Sequence, residues 1–166
     1  MSSSFDRRVS FAATPDDLFA VLTSHEFLIA RHRQQGALAV RPHDDVRDKD
    51  RLVQRVELEE PVFTLMGADR SKTATAVMTY EWDLAARRCR WSYRGSHGER
   101  VRISGDFTIE PTQHGADLVS HFHVEVTYPL IGRLAEKRIL ASIRENFTAF
   151  DRLIQERLQR NIPGPG

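Results

Sequence analysis

Along most of this chain apolar and polar residues alternate one by one; near the C-terminal end the period lengthens to that of a helix. Phe5 to Ala12 sets Phe5, Val9 and Phe11 on one side, with Arg7 as the exception, and so predicts a strand with one apolar face. Thr14-Pro15-Asp16-Asp17 then has the chemistry of a helix start, with a capping hydroxyl, a proline suited to the first turn and two aspartates facing the helix dipole. Leu18, Phe19, Val21 and Leu22 form the buried face of that helix. Ser24 to Phe27 starts a second short helix, with Phe27, Leu28 and Ala30 inside, Arg31 to Gln35 outside, and Gly36 as its stop.

From Ala37 to Thr127 the pattern predicts mostly strands. Five runs alternate clearly: Arg51 to Glu59, Thr73 to Asp83, Arg88 to Arg94, Val101 to Ile109 and Leu118 to Tyr128. Turn residues separate them at Gly95-Ser-His-Gly98 and Pro111 to Gly115. The run Pro61 to Lys72 fits neither period and is expected to be a loop or a short helix. After Pro129, Ile139, Ile143, Phe147, Phe150, Ile154 and Leu158 recur at helical spacing, which predicts one amphipathic helix of about 30 residues, roughly 45 Å long. The Ile162-Pro-Gly-Pro-Gly166 tail cannot extend it and is expected to fray. One domain over residues 1–160 with a flexible tail at 161–166 follows.

One-sided alternation at hairpin spacing argues an antiparallel sheet with one wet face. Its apolar face needs a cover, and only the C-terminal helix is long enough to supply it. The expectation is an α+β fold: a curved antiparallel sheet of about six to seven strands wrapped round the last helix, with space left between them.

Composition and charge exclude more than they specify. The 166 residues are 40% hydrophobic and 28% charged, an ordinary balance for a folded domain. The net charge of +1 removes the main electrostatic basis for nucleic-acid binding. Two basic clusters, Arg31-His32-Arg33 and Arg87-Arg88 with Arg90, read as solvated faces. The first residues lack the apolar core of a secretion signal, no run reaches the length of a membrane span, and Cys89 is the single cysteine. A cytoplasmic location is expected, with Cys89 a structural thiol.

Three stretches carry a resemblance: Val9-Ser-Phe-Ala-Ala-Thr-Pro-Asp-Asp-Leu-Phe19, Gly105-Asp-Phe-Thr-Ile109, and Val126-Thr-Tyr-Pro-Leu-Ile-Gly-Arg-Leu-Ala-Glu-Lys137. With the order of elements, they resemble the helix-grip fold of the START-like (SRPBCC) superfamily, which includes polyketide cyclases and relatives of the birch-pollen allergen. The nearer resemblance is to the bacterial domain-of-unknown-function family 2505, most specifically through Pro129-Leu-Ile-Gly132 leading into the last helix. The resemblance implies the fold and a cavity. It implies no catalytic residue, because the superfamily shares no catalytic motif.

The candidate ligand-binding residues lie on the inner faces so defined. Tyr80, Trp82, Trp91 and Tyr93 form an aromatic set whose polar atoms can orient a ligand, although core packing accounts for any one of them. Met78, Phe107 and Phe122 share that side, and Ile143, Phe147 and Phe150 face it from the helix. Gln54 and Ser120 are polar positions on apolar faces, able to bond backbone or a ligand. His121 and His123, two residues apart, have a spacing known in metal sites, but the alternation turns them outward. No metal, cofactor motif, phosphate loop or nucleophile elbow is indicated.

Three functional readings follow. The first is binding of a small hydrophobic molecule, such as a lipid, isoprenoid or polyketide, for storage, transport or sensing. The second is a cyclase or dehydratase using Tyr80, Tyr93 or an interior histidine as acid or base. The third is a protein-interaction module, such as a homodimer built on an exposed sheet edge.

Overall fold

The computed structural model describes residues 2–64 and 67–161. Strand β1 (Ser2–Phe11) leads into helices α1 (Pro15–Thr23) and α2 (His25–Gln34). The strands β2 (Ala39–Pro42), β3 (Val46–Arg47), β4 (Arg51–Thr64), β5 (Gly67–Asp83), β6 (Arg88–Arg94), β7 (Val101–Thr112) and β8 (Gly115–Val126) follow, then α3 (Gly132–Glu145) and α4 (Phe147–Asn161). The eight strands form one open antiparallel sheet in the order β1-β8-β7-β6-β5-β4-β2, with β3 also on β4. Two more strands than the clearest alternation shows come from the short segments β2 and β3, which are too brief to display a period.

Local chemistry sets the helices as predicted. The Thr14 hydroxyl accepts from the Asp17 amide and the Ser24 hydroxyl from the Phe27 amide, satisfying first-turn donors of α1 and α2. Gly36, at φ +104°, turns the chain away after α2 in a conformation that favours glycine.

The structure departs from the sequence reading in four places. The described residues of Pro61 to Lys72 are neither loop nor helix, since β4 and β5 run on as paired strands with a register shift between Pro61 and Val62; Leu65 and Met66 lie outside the described residues. This extension reaches past the core, so neither face needs to be apolar and the period-two signal fades; proline, lacking an amide donor, sits where the ladder is irregular.

The last helix is long, as expected, but bent. Asn146 separates α3 from α4, its amide side chain donating to the Ser142 carbonyl at 2.9 Å. Local side-chain bonding of this kind competes with the helix, while the apolar stripe stays in phase across it and conceals the break.

The short helices also cover more than expected. Leu18, Val21, Leu22, Phe27 and Leu28 are buried, and Phe27 packs on Phe150 of α4 with ring centroids 5.9 Å apart. Finally, Arg31 and His32 are buried, not solvated. Residues 162–166, expected to fray, lie outside the described residues.

At the other end, Glu136 of α3 is buried and accepts from the Val126 amide at 3.1 Å and the Ser3 hydroxyl at 2.9 Å. Gly132 lies so near the Val126 carbonyl that a Cβ there would stand 2.6 Å from its oxygen. Leu130 turns the chain at φ +69° just before it. The Pro-Leu-Ile-Gly sequence is thus a tight turn that lays α3 across the end of β8.

Candidate functional site

Strand register sorts the inner face into rows. Leu52, Trp82, Cys89, Phe107, Ser120 and Arg7 form one row across the sheet. Gln54, Tyr80, Trp91, Gly105, Phe122 and Phe5 form the next. Val56, Met78, Tyr93, Ile103, Val124 and Ser3 form the third. The nine strand candidates (Gln54, Met78, Tyr80, Trp82, Trp91, Tyr93, Phe107, Ser120 and Phe122) all fall on these adjacent rows.

The first row is closed over. Phe19 of α1 meets Trp82 edge-on at 5.2 Å, and Ser120, Phe107 and Phe150 are buried nearby. The third row is less covered, because Tyr93 and Ile103, with Ile143 and Phe147 facing from α3 and α4, stay partly exposed around a buried core. Between these ends Phe147 stands against Phe122 at 5.3 Å and Phe5 at 5.3 Å. Aromatic side chains therefore occupy this part of the predicted gap. Gly105 belongs to the same layer: a Cβ there would run into the Trp91 ring at 2.7 Å, so glycine lets that ring lie against the strand.

Polar groups on these rows are incompletely partnered. The Gln54 amide donates to the Thr23 carbonyl at 2.8 Å and to Asp45 at 3.2 Å, leaving its Oε1 buried without a partner. Trp91 Nε1 and Arg31 Nε are likewise buried and unbonded. Buried polar atoms are normally paired, and Asp106 Oδ1 and Asp151 Oδ1 are two further exceptions.

Sequence reasoning missed Arg31, His32 and Arg7. The Arg31 guanidinium carbon lies 4.8 Å from the Phe150 ring centroid, 5.7 Å from Tyr80 and 5.8 Å from Phe107. His32 Nε2 meets the Tyr80 hydroxyl at 2.9 Å. Their signal was available: Arg31 and His32 stand four residues after the buried Phe27 and Leu28, on the same helical face. Arg7, the exception in its strand, faces inward, bonds Asp151 of α4 and lies 4.1 Å over the Phe147 ring.

Burial favours the neutral forms of the histidine, tyrosine and cysteine side chains near Arg31. Burial, reinforced by the Arg31 charge, pushes His32 down to about 3, so it is uncharged at pH 7. Burial pushes the Tyr80 phenol up to about 12, partly countered by Arg31. Tyr93 bonds the Glu60 carboxylate; burial raises both groups, and the shared bond raises Tyr93 further while lowering Glu60. Burial also raises the Cys89 thiol, which is unsuited to act as a nucleophile.

There are two open depressions. One, of about 360 Å³, opens on the outer face beside Asp6, Asp106, His121 and His123 and reaches Trp91, Gly105 and Phe122 of the second row; the other, of about 480 Å³, lies along Lys137, Ala141 and Arg144 of α3. His121 and His123 are exposed as expected, with His121 Nδ1 2.6 Å from Asp6. Among the described residues no group of three or more His, Cys, Asp or Glu is arranged to hold a metal ion. No described helix is long and apolar enough to cross a membrane.

Solved structures share this architecture over the whole chain. The Zhui aromatase/cyclase from Streptomyces sp. R1128 matches with a TM-score of 0.71 at 15% identity, covering 100% of this chain and 99% of that one. Ara h 8.0201 matches at 0.63 and 12% identity, covering 97% and 100%. A START superfamily protein from Mycobacterium smegmatis matches at 0.56 and 13% identity, covering 97% and 99%. No protein of curated function matches in sequence. The fold shared with these structures is the helix grip. Within it, a family model described as "Protein of unknown function (DUF2505)" matches residues 6–158, and the chain belongs to that family.

Proposed function

We propose that this protein binds a small hydrophobic molecule of the lipid, isoprenoid or polyketide kind between the inner face of the sheet and α3–α4. The observation that carries the reading is the uneven cover of that face. One end is sealed by α1, α2 and α4, whereas Tyr93, Ile103, Ile143 and Phe147 stay partly exposed at the other. A ligand there gains apolar burial at about 25 cal/mol per Å², less the ordering costs of binding. Phe147 follows the Asn146 break and stands beside this region, so a small shift of α3 makes room without unfolding the sealed end.

Acid–base catalysis is less well supported. His32 and Tyr80 are held in their neutral forms far from pH 7, whereas an efficient acid or base titrates near the working pH. Likeness to an aromatase/cyclase supports the fold and a capacity for such ligands, with the chemistry left to residues particular to each protein.

Native mass spectrometry of the freshly purified protein tests the proposal. Expected is an adduct of a few hundred daltons that organic extraction removes and that returns on incubation with the extract. A bare protein that takes up no member of a lipid and isoprenoid panel contradicts it.

A further inference from the structure

Resting on that reading, we infer that the ligand carries an acidic head group, a carboxylate on an apolar body, and that Arg31 receives it. Arg31 is 92% buried by its 8% residual exposure, and among the described residues no carboxylate lies within ion-pair distance of it. A guanidinium does not lose its proton in a protein, so the interior holds a fixed positive charge. Its neighbours are the faces of Tyr80, Phe107 and Phe150, which attract a cation but do not neutralise one. Arg31 Nε has no hydrogen-bond partner. Folded proteins rarely bury a charge in this condition unless a partner arrives later.

The surrounding layer fits one kind of head group. Trp91, the cross-strand neighbour of Tyr80, adds a second unbonded donor. Parallel guanidinium donors match the two oxygens of a carboxylate. The other ionisable group beside Tyr80, His32, is neutral, so the site offers one positive charge. One charge balances a carboxylate and leaves a doubly charged phosphate uncompensated. From Arg31 the apolar body would run past Tyr80 and Trp91 towards the partly exposed Tyr93, Ile103 and Phe147.

The probes are decanoate and 1-decanol, which share a chain and differ at the head group, titrated at pH 7.5 against the fluorescence of the two buried tryptophans. The wild-type protein is expected to bind decanoate at least about tenfold more tightly than 1-decanol, as one buried charge-assisted contact gives. Arg31→Met is expected to bring the two affinities together, and Arg31→Lys to restore part of the preference. Equal affinities in the wild type, tighter binding of the alcohol, or a preference that survives in Arg31→Met each overturn the inference while leaving hydrophobic binding intact. Binding of neither probe overturns the underlying reading instead. The wild-type comparison stands even if a variant fails to fold.

Discussion

Arg31 and His32 are consecutive residues of one helix face, and burial acts on them in opposite ways. The histidine escapes the cost of burial by staying neutral, while the arginine cannot. Without ligand, Arg31→Met removes a desolvated charge and keeps much of the side-chain volume, so unfolding free energy is expected to rise by about 1–2 kcal/mol. Urea denaturation of the two proteins checks this; a loss of similar size would mean that the ring contacts outweigh desolvation. His32 makes stability depend on pH. Its folded pKa of about 3 lies below the ordinary 6.5, so the unfolded chain binds more protons between those values. Stability therefore falls as pH drops from 6.5 towards 3, by up to about 1.4 kcal/mol per pH unit from this residue. Glu60, raised by burial, acts in the opposite direction, stabilising at low pH and losing that contribution as pH rises. Comparing wild type with His32→Gln at pH 4 to 7 isolates the histidine, and an unchanged slope would show that its burial does not matter.

Among the elements, α3 is the one fastened mainly at an end. Glu136 and Gly132 hold its first turns to β8 and β1, and Asn146 ends it. Glu136→Ala leaves the buried Val126 amide without its acceptor and is expected to cost about 2–3 kcal/mol. Hydrogen exchange should then quicken at Val126 and along α3 while α1 and α2 keep their protection; uniform protection would show that α3 is held by other means. Gly132→Ala forces a Cβ against the Val126 carbonyl and should act the same way at smaller cost. These elements were unequally legible in the sequence. The strands facing the core announce themselves, because burial on one side demands alternation from residues such as Leu52 to Leu58 and Ala76 to Trp82. The paired strands past Pro61 do not, because solvent on both faces imposes no such demand. The break at Asn146 is hidden because Ile143, Phe147 and Phe150 remain in helical phase across it.

At the scale of the whole molecule, pattern recovered the α+β architecture, since each element has one face to bury and few ways to bury it. The site was harder to read. Register brings the predicted strand residues onto neighbouring rows, yet whether rings fill a space or line it depends on side-chain volumes meeting in three dimensions. Phe5 and Phe147 show this, since each looks like core in one dimension and together they stand where a gap was expected. Arg31 is hard to read in one dimension because its charge suggests solvent, although the spacing from Phe27 places it inside. The central claim is that the interior admits a hydrophobic molecule beneath α3. Methyl NMR during a titration with decanoate tests it most directly, through Met78, Ile103 and Ile143. The account predicts saturable shifts at these three residues, with little change at Leu18 and Val21 in the sealed end. Shifts confined to the outer face around His121, or none that saturate, would contradict it.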